Sequence, residues 1–260
     1  MKMTKKLAAL ATCAVIMTSS VVSTIGMSTS ATDGGTASTY SVTPELMTQI
    51  NAWADSLYTS SINGTFARSI SYSNGNWYTS LGDVEILTRL IYAETTTASS
   101  YYVNEHRAVA WILINRVNNG GFGGSTFRAV ATAYDQFSTI VGYSGNTQSE
   151  NIAATRNARE PNLSTSDSKA AWKDAIWLAC TLLSVSSTSD CSSIFNKPYA
   201  ITNQLYFGGS KYVTFGTNNG QLTISGSPVT NAAYAGLGYV TTQKAATDNA
   251  SFNRNIYYNK

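Results

Sequence analysis

From Ala108 to Ile114 the chain reads AVAWILI, seven residues with no charged side chain. The surrounding segment, NEHRAVAWILINRVNNGG, predicts a helix over about 105–118, ended by Asn119-Gly120-Gly121. A helix that is apolar nearly all round must be enclosed by other elements. Any fold for this chain is therefore built around this segment.

The enclosing elements are readable from periodicity. SVTPELMTQINAWADSLYTS offers Thr43 as a cap, Pro44 at the first helical position and Glu45 at the positive end. Leu46, Ile50, Trp53 and Leu57 fall on one face, which predicts a helix over about 44–59. Residues 167–185 predict another, with Ser166 as cap and Trp172, Ile176, Ala179 and Leu183 as its stripe. A short helix is expected over 126–134. Residues 61–79 read as turns joining short strands, and the chain from YDQFSTIVGYSG to 163 reads as irregular loops. LYFGGSKYVTF and QLTISG, around Asn218-Asn219-Gly220, read as short strands. The last thirty residues have turn chemistry but no clear period. The expected class is α+β, mostly helical, with a small β portion near 200–226.

The stretch LGDVEILTRLIYAETTT, residues 81–97, carries the chemistry. Val84, Leu87, Leu90 and Ile91 recur at helical spacing, and Glu94 falls on the same stripe. Ser80 and Asp83 have the spacing of a capping box. Glu85 and Arg89 fall on another face, at the spacing of a solvated ion pair. A carboxyl group on an apolar face has its pKa raised, which suits a general acid at neutral pH. The same position is open to a plain structural glutamate.

The first residues are Lys2, Lys5 and Lys6, then an apolar run from Leu7 to Met17, then small polar residues. This predicts a secretory signal peptide over 1–31, cut after Ala31, and a flexible leader over 32–41. One domain, 42–260, follows. The whole chain carries 17 Lys+Arg and 14 Asp+Glu, but the expected signal peptide holds three lysines and no acid. The exported part is thus balanced in charge, which gives no support to nucleic-acid binding. Only 12% of residues are charged, and 16 are tyrosine. That composition suits sugar contacts and equally an ordinary extracellular surface. An exported setting permits a disulfide between Cys180 and Cys191; two buried thiols are the alternative.

One histidine, His106, bounds the hydrolytic options. No HExxH, paired CxxC, GxSxG or P-loop pattern is present. His106 reads as a solvated residue at a helix start, and a Cys–His peptidase using it is a remote alternative. Carboxyl chemistry on an exported chain points to glycosidic bond cleavage. Glu94 is the acid best placed for it, with Glu105 and Asp135 as candidates for a second carboxylate.

Four segments sharpen this: YAE at 92–94, AVAWILINRV at 108–117, QFS at 136–138 and ITNQLYF at 201–207. In that order and spacing they resemble the SleB/CwlJ-type bacterial cell-wall hydrolases, the spore-cortex-lytic group. The resemblance implies a lysozyme-like fold and a peptidoglycan-degrading glycosidase, acting as a lytic transglycosylase on the MurNAc–GlcNAc β-1,4 bond. It implies Glu94 as the catalytic acid. Gln136, Asn203, Tyr206 and Phe207 would line the substrate groove, although the same motif positions suit packing. Asn115 would be a structural hydrogen-bonder. The implied partners are peptidoglycan glycan strands, with no metal or cofactor, no nucleic acid, and no membrane once the signal is cut. The expected protein is a secreted monomer of a bacterial cell wall. The chain departs from the family after Glu94, where TTTASSYYV is longer than the usual segment and lacks its second glutamate. A non-catalytic glycan-binding wall protein on the same fold is the alternative.

Overall fold

The structure is a computed structural model that describes residues 42–95, 102–185, 188–209, 213–240, 242, 246 and 255–260. The expected signal peptide and leader lie outside the described residues, as does most of the loop after Glu94. Among the described residues no helix is long and apolar enough to cross a membrane.

The helices are α1 (Pro44–Ile62), α2 (Asp83–Ala93), α3 (Tyr102–Asn119), α4 (Phe127–Thr132), α5 (Ser138–Val141), α6 (Gln148–Arg159), α7 (Ser166–Ser184) and α8 (Thr188–Ile194). The strands are β1 (Tyr206–Gly209), β2 (Phe215–Asn218), β3 (Gln221–Ile224), β4 (Ser227–Pro228), β5 (Thr230–Tyr234), β6 (Gly238–Tyr239) and β7 (Asn255–Asn259). The class is α+β. As expected, α3 is the enclosed helix: Ala108 to Ile114 are all buried. Helix α7 packs against α1, α2 and α3. Trp172 of α7 is fully buried there, its indole N–H donating to Ser61 Oγ at 2.8 Å.

Local caps set the helix starts. The Thr43 hydroxyl accepts from Leu46 N ahead of Pro44. Thr165, one residue earlier than the expected Ser166, caps α7 through Ser168 N. The expected Ser80–Asp83 box does not form. Gly82 is the cap residue of α2, and Asp83 instead meets Arg128 at 2.9 Å.

The β portion reaches further than the sequence indicates. One antiparallel sheet has the order β1-β7-β5-β6, with Tyr206 opposite Tyr258 and Phe207 opposite Tyr257. The other is β2-β3-β4, turning at Asn219 and Gly220, both of which take positive φ. That turn is where the Asn-Asn-Gly run predicts it. Strands β5 and β7 lack alternation because both their faces are covered: Ala233, Tyr234, Ile256 and Tyr257 are consecutive buried residues in their strands.

Three further expectations change. Residues 63–79 are turns and irregular backbone rather than strands. The segment read as loop to 163 contains α5 and α6. Helix α6 has too few apolar residues for a clear stripe, and its capping box, Thr147 with Glu150, decides its start. The Glu85–Arg89 pair is not solvated. Arg89 is fully buried and Glu85 nearly so.

Arg89 is a fastening point. Its guanidinium donates to Glu85 Oε1, to the carbonyls of Phe66 and Arg68, and to those of Ala158 and Arg159. The last two are orphan carbonyls at the end of α6, a favourable place for a cation. One side chain thereby ties α2, the turn after α1 and the end of α6. Arg89→Met would take the buried donor from these carbonyls and leave Glu85 only the half-exposed Arg68 at 3.0 Å as its cation. The expected cost is about 3–5 kcal/mol, read as a lowered urea midpoint. Breaking the exposed Lys173–Asp55 pair with Lys173→Ala should cost less than about 1 kcal/mol.

Candidate active site around Glu94

Glu94 is the residue at which α2 stops. Its backbone stays near helical values (φ −75°, ψ −3°), and its N–H still reaches Leu90 O at 3.0 Å. Its own carbonyl is past the last helical turn and has no partner within the helix. Asn255 of β7 fills that role, its Nδ2 donating to Glu94 O at 2.7 Å. The helix end is thus set by a residue 161 positions away. Leu87, Leu90 and Ile91 on the same stripe are fully buried, while Glu94 keeps a partial opening to solvent.

Among the described residues, Thr139 and Arg116 act most directly on the carboxyl. Thr139 Oγ1 donates to Glu94 Oε1 at 2.5 Å, and the positive charge of Arg116 bears on the group. Burial pushes the Glu94 pKa up, while Thr139 and Arg116 pull it down. Burial prevails, so the pKa is raised above the usual carboxylate value.

Arg116 belongs to the NRV run of α3 and is 4% exposed. Its Nε donates to Leu205 O at 2.7 Å and its Nη1 to Gln136 O at 3.2 Å. The guanidinium carbon lies 4.5 Å from the ring centre of Phe137, 5.2 Å from Phe122 and 5.9 Å from Phe207. Burial lowers its pKa to about 10, with Glu94 opposing the shift. It therefore remains a cation at neutral pH. One turn-neighbour, Asn115, donates to the carbonyls of Thr202 and Gln204 at 3.2 and 2.9 Å, the structural role expected of it.

The sequence-selected residues do not all gather here. Gln136 is held by its backbone carbonyl, and its side-chain amide turns back to Tyr134 O. Phe207 is part of the site wall, stacked on Tyr257 with ring centres 5.6 Å apart and edged by Phe137 at 5.9 Å. Tyr206 alternates to the other face of β1 and stacks on Tyr258 at 6.0 Å. Asn203 joins a separate cluster, accepting from Asn231 and Asn259.

Glu105 is buried between α3 and β7, not beside an open cleft. Its Oε2 accepts from the Tyr257 hydroxyl at 3.0 Å and from Asn255 N at 3.3 Å. Desolvation, then Glu105, hold the Tyr257 pKa well above its ordinary value. Asp135 is exposed and sits in a left-handed turn (φ 59°) just before Gln136. His106 is likewise not solvated. It is fully buried, with Nδ1 2.7 Å from Asp174 Oδ2 on α7. Cys180 and Cys191 are separate buried thiols, each pushed up to about 12 chiefly by burial. Neither is an activated nucleophile.

Periodicity misses Arg116, Thr139, Asn255 and Tyr257. Arg116 has a signal in the sequence, a charge beginning the last turn after the uncharged run Ala108–Asn115. Thr139, Asn255 and Tyr257 have none. Among the described residues no group of three or more His, Cys, Asp or Glu is placed to hold a metal ion. No family model, curated protein or solved structure matches the chain.

The raised pKa has a stability consequence. The native state holds the Glu94 proton more tightly than the unfolded chain does. Its contribution is therefore full below the ordinary carboxylate pKa and is lost as pH rises through the raised one. Glu94→Gln keeps the acceptor for Thr139 and removes the buried charge. It should melt above wild type at about pH 7 and level with it near about pH 4. Equal melting temperatures at both pH values would mean that the carboxyl is solvated.

Proposed function

We propose that this protein is a secreted peptidoglycan-cleaving glycosidase on a lysozyme-like fold, acting as a lytic transglycosylase of the SleB/CwlJ type. The observation that carries this reading is the meeting of the four motif segments. YAE supplies Glu94 and NRV supplies Arg116. QFS supplies the carbonyl that Arg116 binds and leads directly into Thr139. LYF supplies Leu205 O and Phe207. Segments separated by up to about a hundred residues converge on one partly open acid.

In this reading the protonated Glu94 gives its proton to the oxygen between MurNAc and GlcNAc as the bond to C1 breaks. The carboxylate so formed takes the proton of the muramoyl 6-hydroxyl as that oxygen attacks C1. The products are a 1,6-anhydromuramoyl end and a free GlcNAc hydroxyl, and Glu94 ends protonated again. Burial keeps the acid protonated to higher pH, and Arg116 steadies the transient anion. One carboxylate suffices. A hydrolytic route requires a second carboxylate across the bond, roughly 5–10 Å away. Glu105 is already committed to Tyr257 and Asn255, which favours the single-acid route.

Purified sacculi incubated with wild type should release muropeptides whose mass marks a 1,6-anhydro end. Glu94→Gln should fold normally and release none. Reducing muramic acid ends would indicate hydrolysis. Sacculi that bind the protein and stay intact would point to a glycan-binding wall protein.

A further inference from the structure

Thr139 is the second residue of α5, a helix of only four residues. Such a short element is positioned by what holds its flanks, and here both sides are fastened. Before it, Gln136 O accepts from Arg116, and Phe137, 1% exposed, lies against the same guanidinium. After it, Ile140 is fully buried, and its carbonyl accepts from the indole N–H of Trp77 at 2.8 Å. Thr139 is itself β-branched, which restricts its χ1. Its hydroxyl is therefore presented to Glu94 by a rigid support.

We propose that Thr139 is a positioning residue that makes the two oxygens of Glu94 unequal, fixing Oε1 as a hydrogen-bond acceptor and leaving Oε2 as the oxygen that carries and exchanges the proton. The hydroxyl has one proton, and at 2.5 Å that proton is directed to Oε1. When Glu94 is neutral, Thr139 still donates to Oε1 as the carbonyl oxygen, so the acidic hydrogen resides on Oε2. When Glu94 is ionised, the same bond strengthens because its acceptor is charged. The carboxyl cannot turn over between the two states without breaking it. The catalytic use of Oε2 rests on the glycosidase reading; the unequal carboxyl does not.

Two measurements separate these claims. The first is titration of the Glu94 side-chain carbon by NMR in selectively labelled protein, which requires no substrate. Thr139→Val keeps the shape of the side chain and deletes the donor. Its Glu94 midpoint should move up, since the bond favours the charged form. Thr139→Ser should return it toward wild type. An unchanged midpoint in Thr139→Val, or a Thr139→Ser midpoint matching that of Thr139→Val, overturns the proposal. Should Thr139→Val fail to fold, Thr139→Ala replaces it, with the same expectations.

The second measurement is the pH profile of muropeptide release. Thr139→Val should lower kcat on the order of 10-fold with KM within about twofold, because the loss is one of orientation rather than binding. Its alkaline limb should move up with the NMR midpoint, and Thr139→Ser should restore both. A normal kcat and limb in Thr139→Val would sink the role assigned to Oε2. Absence of release by wild type, with the titration as expected, would overturn the glycosidase reading alone.

Discussion

A guanidinium with 4% exposure must find acceptors for its N–H groups inside the protein, and Arg116 finds them on two loops from distant parts of the chain. Leu205 O leads into the first strand of the larger sheet, and Gln136 O leads into α5. A buried cation left without such partners would cost several kcal/mol. The two loops are thus held in place by the penalty of losing them. Three aromatic rings close over the charge, which dries the surroundings and strengthens each remaining electrostatic interaction. The adjacent carboxyl of Glu94 feels both effects. It is desolvated by the same packing that brings it a counter-charge. Its raised pKa records that desolvation exceeds the attraction.

Arg89 shows the same physics used for architecture instead. It too is a buried arginine that collects backbone carbonyls, but it is balanced by a full partner, Glu85, and by the carbonyls at the C-terminal end of α6 to which it donates. Among the described residues no carboxylate bridges Arg116 as closely. Its charge is felt by Glu94 without a direct ion pair. The difference is one of balance: Glu85 and Arg89 meet directly, while at Glu94 burial outweighs the more distant charge and raises the pKa.

Much of this was legible where burial is one-sided. The stripe of Leu87, Leu90 and Ile91 that predicts a dry environment for Glu94 is fully buried, and Ala108–Ile114 is enclosed as its uniform apolarity requires. Spacing could not tell a solvated pair from a buried one at Glu85 and Arg89, because the partners that bury Arg89 are backbone carbonyls, which have no sequence signature. His106 was misread for a related reason: its partner Asp174 is 68 residues away on another helix. Helix α6 was hidden by polarity, since its start depends on a capping box rather than on a stripe. Strands β5 and β7 were hidden by burial on both faces, which erases alternation. The site was half legible. Glu94 stands out by its face, and its motif neighbours mark Phe207 and the carbonyl of Gln136. Thr139 and Asn255 act through hydrogen bonds that only the folded chain reveals.

Strand β7 makes the end of the described chain part of the site. Asn255 ends the helix at Glu94 and, through its own N–H, meets Glu105, while Tyr257 of the same strand backs Phe207. The two Asn255 contacts join residues 150 and 161 positions apart, so they are among the most costly in loop closure. Strand β7, lying between β1 and β5, thus ties the larger sheet to the end of α2. A chain cut short before β7 would keep the residues of α2 and lose the partner of the carbonyl at its end.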